Sequence, residues 1–226
     1  MSDGLKFARR AAKSGKARSI VVFVHGYGAD GADLLGLADV LAPHLPDTMF
    51  YAPDAPQACT GNPFGYQWFP IPWMDGSSEA AAAAGLASSA VAMNAFLDAC
   101  LAEAELTDAD LALVGFSQGA MMSLHVAPRR AEPISCVVAI SGRLLEPEAL
   151  AGAVKVKPPV LLIHGDQDQV VPFGNMEFAG DVLAANGFET YSHVMRGTGH
   201  GIANDGLEAT LGFLIKNLPR GEGLIC

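Results

Sequence analysis

Positive charge is scarce in this sequence. The 226 residues include 14 lysines and arginines against 24 aspartates and glutamates, so the formal net charge is -10. Nucleic acids and anionic membrane surfaces are themselves polyanions and offer an acidic protein no counter-charge. We therefore expect neither nucleic-acid binding nor stable membrane association.

Cysteine is also scarce, and long apolar runs are missing. The four cysteines, Cys59, Cys100, Cys136 and Cys226, form no Cys-x-x-Cys pair, and two of them fall in predicted core elements. This pattern indicates reduced thiols in a cytoplasmic protein. No secretory signal of the usual form precedes Ser19, and no apolar stretch is expected to be long enough to span a bilayer.

What the sequence does contain is the pattern of one α/β domain over residues 1–226. Half of the residues are hydrophobic and 17% are charged, which suits a single large core. Strands are predicted at residues 19–24, 49–51, 111–114, 134–140, 159–163 and 190–195. Helices are predicted at residues 34–41, from Ser77 or Ser78 to 101, after Ser117, at 175–185 and at 207–215. Residues 1–18 hold a weak edge strand at 5–11 or a flexible N-terminus. Alternating strands and helices favour a mostly parallel sheet with helices on both faces.

The segment around Ser117 predicts a sharp turn from a buried strand into a helix. Leu111 to Val114 form the apolar strand, and Gly115 and Gly119 flank the serine in the spacing G-x-S-x-G. Such a turn holds its central residue in a strained conformation, and its neighbours must lack a Cβ so that the backbones can pass. The serine hydroxyl is then exposed above the sheet at a helix N-terminus.

Two other strand ends carry the side chains that a serine nucleophile needs. Asp166 and Asp168 follow the strand at 159–163, and His200 follows the last strand. A neutral imidazole must take the serine proton, and a buried carboxylate must orient the imidazole. The order Ser, Asp, His is the one expected for an α/β-hydrolase. Asp168 is favoured as the acid, with Asp166 as the alternative and more typical of a loop-capping side chain.

The glycines after the first strand permit a second interpretation. Gly26-Tyr-Gly-Ala-Asp-Gly31 matches G-x-G-x-x-G between a strand and a helix, which is typical of a dinucleotide site in an NAD-dependent oxidoreductase. Asp30 and Asp33 count against it because they would lie where the pyrophosphate must sit. In a hydrolase the same glycines let the N–H of Tyr27 point at an oxyanion beside the N–H of Gln118.

These motifs together resemble the phospholipase/carboxylesterase family, relatives of the acyl-protein thioesterases. The resemblance extends from Ser19 over nearly the whole chain and is carried by Gly115-Phe-Ser-Gln-Gly119, His25-Gly-Tyr-Gly-Ala-Asp30, Trp73-Met-Asp75, His164-Gly-Asp-Gln-Asp-Gln-Val-Val-Pro172 and Gly199-His200. It implies a single-domain α/β-hydrolase with a Ser117, Asp168 and His200 triad. It also implies an oxyanion hole from Tyr27 and Gln118, and no metal or cofactor.

The substrate expectation depends on residues 57–76, a predicted surface segment without regular structure that is rich in aromatic side chains. Leaving all of these rings exposed would lose several kcal/mol of favourable apolar burial, so some of them are expected to form the wall of the acyl-binding site. The residues predicted to contact the substrate are Phe64, Trp68 and Trp73. We expect a carboxylesterase for neutral short- to medium-chain esters. An acyl-protein thioesterase or lysophospholipase is the alternative, a non-catalytic receptor is a remote one, and a homodimer is possible.

Overall fold

The computed structural model of the chain describes residues 4–219. Its strands are β1 (Phe7–Arg10), β2 (Ser19–Val24), β3 (Thr48–Pro53), β4 (Gln57–Ala58), β5 (Tyr66–Gln67), β6 (Leu111–Phe116), β7 (Cys136–Ile140), β8 (Val160–Gly165) and β9 (Thr190–Met195). Its α-helices are α1 (Gly31–Leu35), α2 (Ala38–Leu41), α3 (Pro72–Asp75), α4 (Glu79–Ala104), α5 (Gln118–Val126), α6 (Leu150–Ala153), α7 (Gly174–Ala185) and α8 (Asn204–Asn217). Every strand predicted from the pattern is present, with ends shifted by a few residues.

Seven strands form one sheet in the order β1-β3-β2-β6-β7-β8-β9. Only β1 is antiparallel to its neighbour, and the other six strands run parallel. Parallel neighbours bring their carboxyl ends to the same edge of the sheet, where ligands bind in open α/β folds. The predicted mostly parallel sheet, with an edge strand near the N-terminus, is confirmed.

Helices cover both faces because the central strands are apolar on both sides. In β2, Ile20, Val22 and Val24 pack into the core on one face, together with α4, α5 and α7. Val21 and Phe23 pack into the core on the other face, with α2 and α8. All five side chains are fully buried, which explains the continuous apolar run in the sequence.

The helix predicted at residues 34–41 is two short helices. Gly36 ends α1 and has a low helix propensity, so the chain restarts with α2 at Ala38. Gly31 begins α1 where a Cβ would lie 2.1 Å from the carbonyl oxygen of Ala52, so the helix starts in contact with β3. The apolar periodicity therefore predicted the helical conformation correctly, but it did not reveal the interruption at Gly36.

The segment 57–76 contains more regular structure than predicted. The strands β4 and β5 have two residues each and pair antiparallel, and α3 is a single helical turn. Elements this short have no measurable periodicity, which is why the pattern predicted only a loop. Trp68, Phe69 and Ile71 are buried, so this part of the segment packs on the domain.

The α4 helix corrects the expectation that no apolar stretch reaches membrane-spanning length. Among the described residues it is the one helix long and apolar enough by length and composition. One side of it is buried, through Leu86, Met93, Phe96 and Leu97 among others, and its other side is mostly alanine. Three cysteines are free and buried, as expected for reduced thiols, and Cys226 lies outside the described residues.

Candidate active site

Ser117 lies at the junction between β6 and α5 in a strained backbone conformation. Its φ of 54° and ψ of -117° are rare for a residue with a side chain. A Cβ on Gly115 would lie 2.4 Å from the carbonyl oxygen of Gly119, and a Cβ on Gly119 would lie 1.8 Å from that of Val24. The two flanking glycines are therefore required by close backbone contacts, as predicted.

The structure brings Ser117, His200 and Asp168 into one hydrogen-bonded chain. The Nε2 atom of His200 is 2.9 Å from the Oγ of Ser117, and its Nδ1 atom is 2.7 Å from Oδ2 of Asp168. A carboxylate only accepts, so Nδ1 carries the proton and Nε2 presents its lone pair to the serine hydroxyl. This is the arrangement that a general base for a serine nucleophile needs.

The carboxylate of Asp168 is buried and fully engaged. Oδ1 accepts the backbone N–H groups of Val170 and Val171, both at 2.9 Å, and Oδ2 lies 3.3 Å from Nε2 of His164. Burial raises the pKa of Asp168, but the hydrogen bonds from His200 and from the two N–H groups outweigh burial and hold its pKa below the ordinary value. The group therefore remains a carboxylate, able to hold the imidazole.

Asp166 has the loop role that the sequence favoured for it. Its Oδ1 accepts the N–H of Gly197 at 2.7 Å, and its Oδ2 lies 3.9 Å from the guanidinium of Arg196. Both contacts tie the loop after β8 to the loop that carries His200. Asp166 thus supports the position of the histidine without contacting it.

Tyr27 and Gln118, the residues predicted to form an oxyanion hole, both lie close to Ser117. Gln118 is the first residue of α5, so its N–H has no acceptor within the helix. Tyr27 lines the cleft that also contains Ser117, and across residues 4–219 its N–H has no backbone acceptor. Gly26 leaves room for this approach, because a Cβ there would lie 3.3 Å from that of Ser117. Two free donors beside a serine hydroxyl can stabilise an oxyanion.

A buried hydrogen-bond network, which the sequence analysis missed, holds these donors in place. The side chain of Gln118 accepts the N–H of Trp68 at 2.9 Å and donates to the carbonyl of Phe69 at 2.7 Å. The indole N–H of Trp68 donates to the carbonyl of His25 at 3.0 Å. The network therefore connects the loop after β2, the segment 57–76 and the start of α5.

His25 is a structural histidine in this network. Its Nε2 accepts the N–H of Ala55 at 2.9 Å, so its Nδ1 carries the proton and donates to the carbonyl of Gly26 at 2.7 Å. Burial is the main cause that lowers the pKa of His25. A neutral imidazole is thereby fixed in one tautomer beneath the loop that carries Tyr27.

The three aromatic residues chosen for substrate binding have different environments. Trp68 is fully buried, so the prediction that it walls the acyl site is wrong: its ring fills the core against His25. Phe64 is 89% exposed and lines neither of the cavities beside the site. Trp73 is exposed and lines a groove next to the site. Of the three, only Trp73 lines one of these cavities, so its contact with a substrate stays a prediction.

The cleft at Ser117 has a volume of about 260 Å³ and a largely apolar lining. Phe116 and Leu34, two further residues that the sequence analysis missed, form part of its wall. The ring of Phe116 also packs on that of His200, with 5.0 Å between centroids. Phe116 immediately precedes the nucleophile, so its position at a strand end was the available signal.

The N-terminus of α1, where a dinucleotide pyrophosphate would bind, is occupied by carboxylates of the protein. Asp30 accepts the N–H of Asp33 in a capping box, and Asp54 accepts the N–H of Gly31 at 2.9 Å. A pyrophosphate would have to displace these acids and would be repelled by their charge. The glycine pattern is therefore not a dinucleotide site.

Comparison with known proteins identifies the family of the chain. The family model described as phospholipase/carboxylesterase matches residues 7–218. Acyl-protein thioesterase 1 of Saccharomyces cerevisiae is 30% identical, over 93% of this chain and 97% of its own. Esterase YpfH of Escherichia coli is 26% identical, over 90% and 85% respectively.

A solved structure extends the similarity to the backbone. The crystal structure of esterase PE8 has a TM-score of 0.90 and 45% identity, and the match covers 95% of this chain and all of that one. The protein thus has the α/β-hydrolase fold, and as a serine-type carboxylic ester hydrolase it belongs to the phospholipase/carboxylesterase family.

Proposed function

We propose that the protein is a carboxylesterase that hydrolyses short- to medium-chain esters, with Ser117 as nucleophile, His200 as base and Asp168 as the orienting acid. The observation that carries the proposal is the continuous hydrogen-bonded chain from Ser117 Oγ to Asp168 Oδ2, with distances of 2.9 and 2.7 Å. A serine hydroxyl is a weak nucleophile until a base takes its proton. The geometry supports this transfer without rearrangement.

In the first half of the reaction, Ser117 Oγ attacks the ester carbonyl while Nε2 of His200 takes the proton. The carbonyl oxygen becomes an oxyanion and accepts hydrogen bonds from the N–H groups of Tyr27 and Gln118. Each such donor contributes about 3 to 4 kcal/mol to stabilisation of the transition state. His200 then returns the proton to the departing alcohol, and the acyl group stays on Ser117.

In the second half, a water molecule takes the place of the alcohol. His200 accepts a proton from the water, the hydroxide attacks the acyl carbon, and Ser117 leaves with the proton that His200 gives back. Asp168 remains ionised throughout and stabilises the imidazolium formed in each half. Its two backbone N–H donors and its lowered pKa are consistent with this role.

Chain length is the finer part of the proposal. The cleft volume of about 260 Å³ is below the usual range of about 300–1,000 Å³ for small-molecule sites, which favours short acyl groups. The net charge of -10 disfavours polyanionic acyl-CoA. The alternative is acyl-protein thioesterase activity, which is supported by the name of the yeast relative at 30% identity.

The test is a series of p-nitrophenyl esters from acetate to palmitate, with palmitoyl-CoA as the thioester. Acetate or butyrate should give a higher kcat/KM than palmitate, with a pre-steady-state burst of nitrophenol. Ser117→Ala should abolish the burst. If palmitate or palmitoyl-CoA is the best substrate, the thioesterase or lysophospholipase alternative replaces the proposal, and binding without any turnover would indicate a receptor.

A further inference from the structure

A second cavity, which we call the Arg143 groove, lies beside the nucleophile turn. It has a volume of about 200 Å³ and is enclosed by the 69–73 segment, the first turns of α4 and the 143–146 loop. The guanidinium of Arg143 lies over the ring of Trp73, with 4.4 Å from Cζ to the ring centroid. The groove therefore combines an apolar wall with the positive charge of Arg143, and the carboxylates of Glu79 and Glu146 also line it.

Two contacts connect the Arg143 groove to the catalytic turn. Phe69, in one wall, has its carbonyl held by the side chain of Gln118 at 2.7 Å. Gly142, which precedes Arg143, packs against the turn so closely that a Cβ on it would lie 3.1 Å from the carbonyl oxygen of Ser117. Arg143 is the next residue along the chain, and its Cα lies about 3.8 Å from that of Gly142. These contacts place the Arg143 groove beside the nucleophile turn.

Arg143 has no counter-ion in direct contact, although the charge of Glu79 acts on it from a longer distance. Across residues 4–219 it makes no ion pair within 4.0 Å, and its Nε is buried without a hydrogen-bond partner. Arg129 and Arg130, which are also at least partly buried, each pair with a carboxylate. An unpaired guanidinium is conspicuous in a protein of net charge -10, where acids are plentiful. A half-buried cation of this kind suits a ligand that brings its own negative charge.

Two acids, Glu79 and Glu146, also line the groove. Glu146 lies 3.8 Å from the guanidinium of Arg129. Glu79 is in the first turn of α4, where the free N–H groups of the helix favour a carboxylate. Neither acid lies within 4.0 Å of Arg143. Among the described residues, no carboxylate within 4.0 Å thus occupies the donors of Arg143.

We propose that Arg143 and Trp73 bind a carboxylate at the far end of the acyl chain, so that half-esters of dicarboxylic acids are preferred substrates. The inference rests on the proposed function and refines its substrate class. Net charge alone favoured neutral esters, but a guanidinium at short range can recognise one carboxylate in spite of a negative overall field. The chemistry is unchanged: Ser117 takes the acyl group, the alcohol leaves with the proton, and water releases the dicarboxylate.

The experiment compares mono-p-nitrophenyl esters of glutarate, adipate and suberate with neutral p-nitrophenyl esters of matched chain length. The variants are Arg143→Gln, which removes the charge, and Arg143→Lys, which keeps the charge but loses the bidentate geometry. Arg18→Gln is the matched control, because it changes the net charge equally at an exposed position before the amino end of β2.

We expect the unmodified protein to prefer at least one half-ester over its neutral counterpart. Arg143→Gln should lower kcat/KM for that half-ester about tenfold to a hundredfold, mainly through KM, and should lower it far less for the neutral esters. Arg143→Lys should fall in between, and Arg18→Gln should have no effect. Equal losses on charged and neutral esters, or no loss on any half-ester, would overturn the assignment.

A binding measurement separates this inference from the proposed function. Ser117→Ala protein should bind glutarate, adipate or suberate by calorimetry, and the added change Arg143→Gln should remove that binding. If no ester is hydrolysed in a Ser117-dependent manner, the proposed function fails while dicarboxylate binding still decides the role of Arg143. If hydrolysis occurs but the dicarboxylates do not bind, only the inference about Arg143 is overturned.

Discussion

The exchange Asp168→Asn should disable the proposed base while leaving the shape of the site intact. In the structure, Oδ2 of Asp168 accepts the proton on Nδ1 of His200 at 2.7 Å, and Oδ1 accepts two backbone N–H groups. An asparagine keeps its oxygen on those two N–H donors, so its NH2 group faces His200. That group can only donate, which forces the imidazole proton onto Nε2.

With the proton on Nε2, His200 has no lone pair for the hydroxyl of Ser117, 2.9 Å away. The wrong tautomer is known to cost a Ser-His-Asp hydrolase about 10⁴ in kcat, or about 5.5 kcal/mol of barrier. The protein also loses the negative charge that stabilises the imidazolium. We therefore expect kcat for p-nitrophenyl butyrate to fall by about 10⁴.

Asp166→Asn is the matched control, since it makes the same chemical change two residues away. Its amide oxygen can still accept the N–H of Gly197, so kcat should fall by less than about tenfold. Both variants are measured by stopped-flow and steady-state release of nitrophenol at one pH, with thermal melts to confirm folding. Equal losses in the two variants would refute the assignment of Asp168 as the orienting acid.

Three further predictions concern packing and pH. Trp68→Ala should lower the free energy of unfolding by about 3 to 5 kcal/mol in urea titrations, whereas Trp73→Ala, at an exposed ring, should leave it unchanged. A larger loss for Trp73→Ala would contradict the burial of Trp68. Gly119→Ala should destabilise by more than about 3 kcal/mol, because its Cβ would lie 1.8 Å from a carbonyl oxygen, but Gly212→Ala in the open part of α8 should stabilise. Burial is the main cause that lowers the pKa of His125 from 6.5 to about 4, so the unfolded chain takes up the proton first as the pH falls. The free energy of unfolding should drop by up to about 3 kcal/mol as the pH falls from 6.5 to about 4. His125→Leu should reduce this pH dependence in thermal melts.

The strand ends made most of the site predictable. Ser117, Asp168 and His200 each follow a strand of the parallel part of the sheet, and parallel strands must end at the same edge, so their meeting follows from the order of the elements. The choice between Asp166 and Asp168 was less secure, because two carboxylates two residues apart differ only in where the loop turns them. The structure decides their positions through the backbone N–H groups that each one accepts.

The interior of the segment 57–76 could not be predicted. An aromatic residue in a loop can wall a cleft or fill the core, and its sequence neighbours do not distinguish the two. Trp68 belongs to the core because Gln118, fifty positions away along the chain, bonds its backbone. Arg143 was overlooked for a similar reason, since its proposed role depends on its position over Trp73 and on the lack of an ion pair among residues 4–219, and both are properties of the folded chain.

The central claim is that Ser117 is the nucleophile, and labelling by a fluorophosphonate tests it most directly. The reagent requires a serine activated by a base, so peptide mass spectrometry after stoichiometric inactivation should place one adduct on Ser117, and Ser117→Ala or Asp168→Asn should suppress it. An adduct on Ser123 or Ser141, or inactivation that persists in Ser117→Ala, would contradict the claim.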